Sequence, residues 1–96
     1  MARILVTRPE QDAAATAARL RDLGHDPLIT PLMAVRYLPG PPLDLAGVQA
    51  LLVTSANGAR ALAARQAGAD VPLPVLAVGD ATARAARDLG FADVKS

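Results

Sequence analysis

The sequence predicts an α/β fold built on parallel sheet, and three observations carry that expectation. A strand–turn–helix unit recurs three times, each unit stops at a glycine, and the apolar runs are short, β-branched and continuous rather than alternating. Continuous runs of this kind belong to strands covered on both faces, as in a three-layer arrangement. Strands that alternate with helices pair in parallel through right-handed crossovers.

The first unit opens with the strand Ile4-Leu5-Val6-Thr7-Arg8 and turns at Pro9-Glu10. Its helix places Ala13, Thr16, Leu20 and Leu23 on one face and stops at Gly24. The second unit opens with Leu51-Leu52-Val53-Thr54-Ser55 and turns at Ala56-Asn57. Ala59, Leu62 and Ala63 share its helical face, and Gly68 ends it. The third runs Val75-Leu76-Ala77-Val78-Gly79, then Asp80-Ala81-Thr82, with Thr82, Ala85, Ala86 and Leu89 facing one way and Gly90 as the stop. Arg21-Asp22-Leu23-Gly24 is echoed by Arg87-Asp88-Leu89-Gly90. All three glycines are expected at the left-handed position just past a helix, where a Cβ is penalised. An extended segment follows each one, at Asp26 to Thr30, Asp70 to Leu73 and Asp93 onward.

One stretch breaks the rhythm. Residues 30–42 hold four of the eight prolines and show no helical period. Met33 to Leu38 is compatible with a strand, Pro39 to Pro42 is an extended connection, and a short helical turn is expected at Leu43 to Val48. The stretch reads equally well as a surface loop or as a crossing between domains. At the far end, Asp93-Val94-Lys95-Ser96 starts a further strand with no helix after it. Three βα units make a thin sheet with open edges, so the expectation is a natural chain longer than this one.

Size and composition narrow the function classes. Ninety-six residues at 9.8 kDa hold one small domain or pieces of two. The formal charge is +1, without a basic block, and Tyr37 and Phe91 are the only aromatic residues, which argues against nucleic acid as a partner. No apolar run approaches the ~20 residues of a membrane span. Residues 1–12 lack a long apolar core and a cleavage site before Glu10 and Asp12. A cytoplasmic location without membrane attachment is therefore expected. The absence of cysteine removes disulfides, thiolate nucleophiles and iron–sulfur clusters, and no metal-ligand spacing is present.

In parallel α/β layers, ligands sit at the carboxyl ends of strands, where turns lead into helix N-termini. The candidate residues are Arg8 in the first turn, Ser55, Asn57 and Gly58 in the second, and Gly79, Asp80 and Thr82 in the third. Ser55 or Asn57, and Asp80, are natural N-caps, and capping alone accounts for them. Free helix N–H groups and their partial positive charge also suit an anion. Gly79 would let the backbone approach such a ligand, and Arg8 would offer a guanidinium fork. A phosphate-binding lysine loop and a G-x-G-x-x-G turn are both missing. His25 falls at the opposite edge, just after a helix stop, and Glu10 suits a first helical turn. An enzyme built on these groups would work by holding its substrate and stabilising charge through hydroxyls and amides.

The order Ile4-Leu5-Val6-Thr7-Arg8-Pro9, then Val53-Thr54-Ser55-Ala56-Asn57-Gly58, then Ala77-Val78-Gly79-Asp80-Ala81-Thr82-Ala83 with Gly90-Phe91, resembles uroporphyrinogen-III synthase. The resemblance runs over essentially the whole chain and covers the first part of that family's longer one. It implies a piece of a two-domain fold of flavodoxin-like halves. Residues 1–32 would open the first domain, 33–42 would form a linker strand, and 43–96 would begin the second domain. The implied reaction needs no cofactor: hydroxymethylbilane loses water and closes to uroporphyrinogen III with ring D inverted, in haem biosynthesis, which makes the family a cyclising lyase. By position, Thr82 would assist the departing hydroxyl, while Arg8, Ser55, Asn57, Gly58, Gly79 and Asp80 would bind the tetrapyrrole. The family's later tyrosine has no counterpart, since Tyr37 lies in the connecting stretch. The whole protein would be a monomer, and this chain would self-associate through its open edges.

A different reading makes the chain a non-catalytic flavodoxin-like module for a small anion. A receiver-type module would place acidic residues after its first strand, where this chain has Thr7-Arg8-Pro9.

Overall fold

The computed structural model describes residues 1–68 and 70–96. It divides into two units, Met1–Arg36 and Tyr37–Ser96. The division falls inside the proline-rich stretch.

The first unit consists of β1 (Arg3–Val6), α1 (Glu10–Asp22) and β2 (Asp26–Ile29). The two strands pair in parallel with Arg3 opposite Asp26 and Val6 opposite Ile29. Strand residues alternate between faces. Val6 is buried and Ile4 and Pro27 are half-buried, on the side where Ala13 and Ala17 of α1 are sealed from solvent. Leu5 and Leu28, which oppose each other in register, point to the other face and are exposed.

The second unit consists of β3 (Leu51–Val53), α2 (Ala56–Arg65), β4 (Val75–Ala77), α3 (Asp80–Asp88) and β5 (Val94–Lys95). Its sheet runs β3-β4-β5, all parallel, with Leu51 opposite Val75 and Val75 opposite Val94. Two right-handed crossovers stepping in one direction leave both helices on one face. There α2 and α3 pack against each other, and Val53, Ala59, Val71, Val75, Ala77, Ala83, Ala86 and Phe91 form the core. Alanine supplies half of these positions, which lets the helices lie close to the sheet. The bulk comes from Phe91 and the valines, with complete burial of one such side chain contributing about 1.5–3 kcal/mol.

The parallel α/β class stands, but the expected cover on both faces does not. Leu52 and Leu76, direct partners in register, are 69% and 40% exposed, while Val53, Val75 and Ala77 are buried. Each sheet therefore carries helices on one side. A run such as Leu51-Leu52-Val53 has no alternation from which the covered face could be read.

The three helices among the described residues end in the same hydrogen-bond pattern. After α1, Gly24 N donates to Arg21 O and His25 N to Leu20 O; after α3, Gly90 N donates to Arg87 O and Phe91 N to Ala86 O. These pairs close a Schellman motif, with the left-handed residue at Gly24 (φ 85°) and Gly90 (φ 102°). After α2 the motif shifts by one residue. Ala67 N donates to Ala64 O and Gly68 N to Ala63 O, so Ala67 takes the left-handed position at φ 55° and Gly68 follows it. Gly68 is thus not the stop residue. Leu23 is also displaced from its expected role: α1 ends at Asp22, and Leu23, as the C-cap, is 64% exposed.

The irregular segments differ from expectation in the same direction. Residues 33–42 fall outside helix and strand among the described residues, with a bend at Pro41, and Pro39, Pro41 and Pro42 have no N–H to donate. Residues 43–48 form one turn rather than a helix, closed by Val48 N to Leu45 O, with Gly47 at φ 78° and the Asp44 carboxylate accepting from Ala46 N. Residues 70–73 are not a strand, although Val71 still reaches the core.

Candidate functional site

The register of the second sheet brings two of the predicted turns side by side. Val53 opposes Ala77, and Val78 N donates to Val53 O at 3.0 Å, so β3 and β4 end together. Ser55, Asn57, Gly58, Gly79, Asp80 and Thr82 consequently gather along the carboxyl edge of this unit. Arg8 occupies the equivalent place after β1 in the other unit. There its Nη1 donates to Thr16 Oγ1 at 2.9 Å, and that hydroxyl donates to Asp12 O at 3.3 Å. His25 sits at the opposite, amino edge, where its Nδ1 accepts from Ala2 N at 3.1 Å.

The two neighbouring helix starts are finished differently. At α2, Ser55 is the N-cap in extended conformation, and its Oγ accepts from Gly58 N at 3.0 Å. That satisfies the third amide of the helix in the ordinary capping manner. At α3 the N-cap is Gly79, at φ 90° and ψ 151°, with no side chain to offer. Asp80 therefore takes the first helical position rather than the cap expected of it. Its Oδ1 accepts from Ser96 Oγ at 2.9 Å, and its charge sits favourably at the positive end of the helix. The first amide of α3 engaged by the chain is Ala83 N, which donates to Gly79 O at 3.1 Å. Asp80, Ala81 and Thr82 thus present three successive backbone N–H groups without a capping acceptor.

Sterics agree with an open approach at this point. No atom lies within 4 Å of where a Cβ on Gly79 would stand, so its glycine identity answers to the positive φ. A Cβ on Gly58 would meet Ser55 Oγ at 3.4 Å, an ordinary contact, so close approach does not require that glycine. Thr82 is the most enclosed candidate at 7% exposure, on the helix face that also carries Ala86.

A cation that the sequence reading passed over belongs to this edge. Arg60 Nη1 donates to Asn57 Oδ1 at 2.8 Å, one helical turn back. Helical side chains lean toward the N-terminus, so this bond draws a half-buried guanidinium into the first turn of α2. A positive charge there works against the helix dipole. The only sequence signal was the i, i+3 spacing of Asn57 and Arg60, which is common on any helix.

The second unit is thus a parallel α/β layer that gathers adjacent strand-to-helix turns, free amides and a guanidinium on one edge. Residues 14–96 match the model of the family described as uroporphyrinogen-III synthase HemD. The chain belongs to the uroporphyrinogen-III synthase family, whose members are cyclising enzymes of porphyrin biosynthesis. The matched residues include every candidate except Arg8. Among the curated proteins no match is found. Among the described residues no helix is long and apolar enough to cross a membrane.

Proposed function

We propose that this chain serves the cyclisation of hydroxymethylbilane to uroporphyrinogen III, with inversion of ring D and release of one water, as a cytoplasmic lyase that uses no cofactor. The observation that carries the proposal is the bare start of α3, with three free amides beside the capped start of α2. The substrate is a linear tetrapyrrole rich in acetate and propionate carboxylates. Convergent amides and the Arg60 guanidinium can hold such groups without a strong base. The reaction itself mainly needs a folded substrate that closes before the spontaneous route to isomer I takes over, which is an effect of proximity.

In this reading Gly79 and Asp80 bring backbone amides to the substrate, and Ser55, Asn57 and Gly58 line the neighbouring turn. Thr82 offers a hydroxyl to the leaving oxygen, and Arg8, after β1, is a further cation for a substrate carboxylate. The division of residues into 1–32, 33–42 and 43–96 remains part of the same proposal. So does self-association of the chain through its open sheet edges.

The test combines binding and turnover. Uroporphyrinogen III, added anaerobically to isotope-labelled chain, should shift the amide resonances of Asp80, Ala81 and Thr82 most and those of Ser55 and Asn57 next. Thr82→Ala should slow formation of isomer III severalfold, and Thr82→Ser should restore it. Shifts confined to other edges would overturn the site. Binding at this edge with isomer I as the sole product would leave the anion-binding module as the better description.

A further inference from the structure

The proline-rich stretch is fastened at both ends and free in between. On the first side, Leu32 N donates to Thr7 O at 3.2 Å, just beyond β1. On the second, Arg65 Nη2 donates to Leu38 O at 3.0 Å, and Leu43 N donates to Gln66 Oε1 at 2.6 Å. These two neighbours end α2, where a cation is favoured by the helix dipole. Gly40 lies between the two fastened points. A Cβ there would come within 3.1 Å of Arg65 Cζ and 3.2 Å of its Nη1, so the missing side chain is what lets the guanidinium lie against this backbone. Among the described residues, Met33, Ala34, Val35, Arg36 and Tyr37 make no hydrogen bond to either unit, and all are exposed.

We infer that Arg65 and Gln66 act as a clasp that makes Leu38–Leu43 part of the second unit and confines the compliant part of the connection to Met33–Tyr37. The prolines at 39, 41 and 42 stiffen the clasped segment, because their φ is fixed near −65°. Freedom of movement is then set by five residues, not by the whole stretch from Pro31 to Pro42. This inference concerns the mechanics of the chain and does not depend on the reaction proposed above.

Backbone ¹⁵N relaxation on the whole chain tests it. The amides of Met33 to Tyr37 should give order parameters below about 0.6, and those of Gly40 and Leu43 values near about 0.85. In the paired variant Arg65→Ala with Gln66→Ala, Gly40 and Leu43 should fall to the level of Met33–Tyr37 while the amides of α3 stay unchanged. Gly40→Val, which leaves α2 intact, should loosen Gly40 and Leu43 in the same way. Gly40 and Leu43 as mobile as Val35 in the unaltered chain, or equally rigid in both variants, would overturn the clasp. Should the paired variant lose its fold, the unaltered chain and Gly40→Val still decide the matter.

Discussion

The two units start from nearly the same sequence rule and arrive at very different interiors. In Met1–Arg36 one helix covers two strands, and the buried apolar residues are Val6, Ala13 and Ala17. In Tyr37–Ser96 a second crossover adds α3 and β5, and the core grows to eight residues around Val75 and Phe91. A strand–turn–helix repeat thus specifies local structure in both places, but burial comes from neighbours. Ala13 and Ala17 are sealed as completely as Ala83 and Ala86, and what the second crossover adds is enclosure of a large side chain, Phe91. A lone helix encloses only its own inner stripe.

The sharpest way to break this contrast is Phe91→Ala. Phe91 is 4% exposed at the centre of the larger core. Its truncation should cost about 3–5 kcal/mol. Hydrogen exchange should then show α2 and α3 losing protection while α1 keeps its own. Simultaneous loss in α1 would mean that the two units do not stand apart.

A smaller effect is expected at the helix starts. Ser55→Ala removes the only side-chain cap found at a helix start among the described residues, and should cost about 1 kcal/mol in a denaturant titration. The loss should fray α2 without touching α1, whose N-cap Pro9 has no side-chain bond to lose.

The smallest effect has the opposite sign. Ala67 holds a left-handed conformation that costs an L-residue roughly 1–2 kcal/mol, against roughly 0.5–1 kcal/mol for the added chain entropy of glycine. Ala67→Gly should therefore raise stability by up to about 1 kcal/mol, seen as a higher denaturation midpoint. It would also make the end of α2 match those of α1 and α3. A drop in stability would show that the α2 end is not strained at this residue.

These particulars show where the sequence was legible. Gly24 and Gly90 were readable as helix stops because glycine coincides with the position that needs a positive φ. At α2 the glycine stands one residue later, and nothing local distinguishes Gly68 from a true stop. The order of strands and helices was likewise open to a reader, because apolar runs and helical stripes are local patterns. Which face of each sheet lies bare was not, since Leu52 and Val53 differ only in what packs on them. At the site, the residues and the edge were legible from the turns alone. The roles at α3 were not: Asp80 looks like a cap until Gly79 is seen to occupy that place. Arg60 carries no such signal, because its meaning depends on the bond to Asn57 and not on its identity.

The position of the two aromatic rings has a practical consequence. Phe91 is buried in the second unit, and Tyr37 stands at its first residue, 38% exposed. The first unit holds no aromatic side chain at all. Near-ultraviolet dichroism, whose ordered source is the Phe91 ring, will therefore follow the second unit alone, and a melt recorded that way is silent about β1, α1 and β2. A single cooperative optical transition is what this chain would show even if its first thirty-six residues came undone at a lower temperature. Amide-based signals weigh the two units by length instead, and a gap between the two kinds of melting curve would measure directly how separately the units hold together.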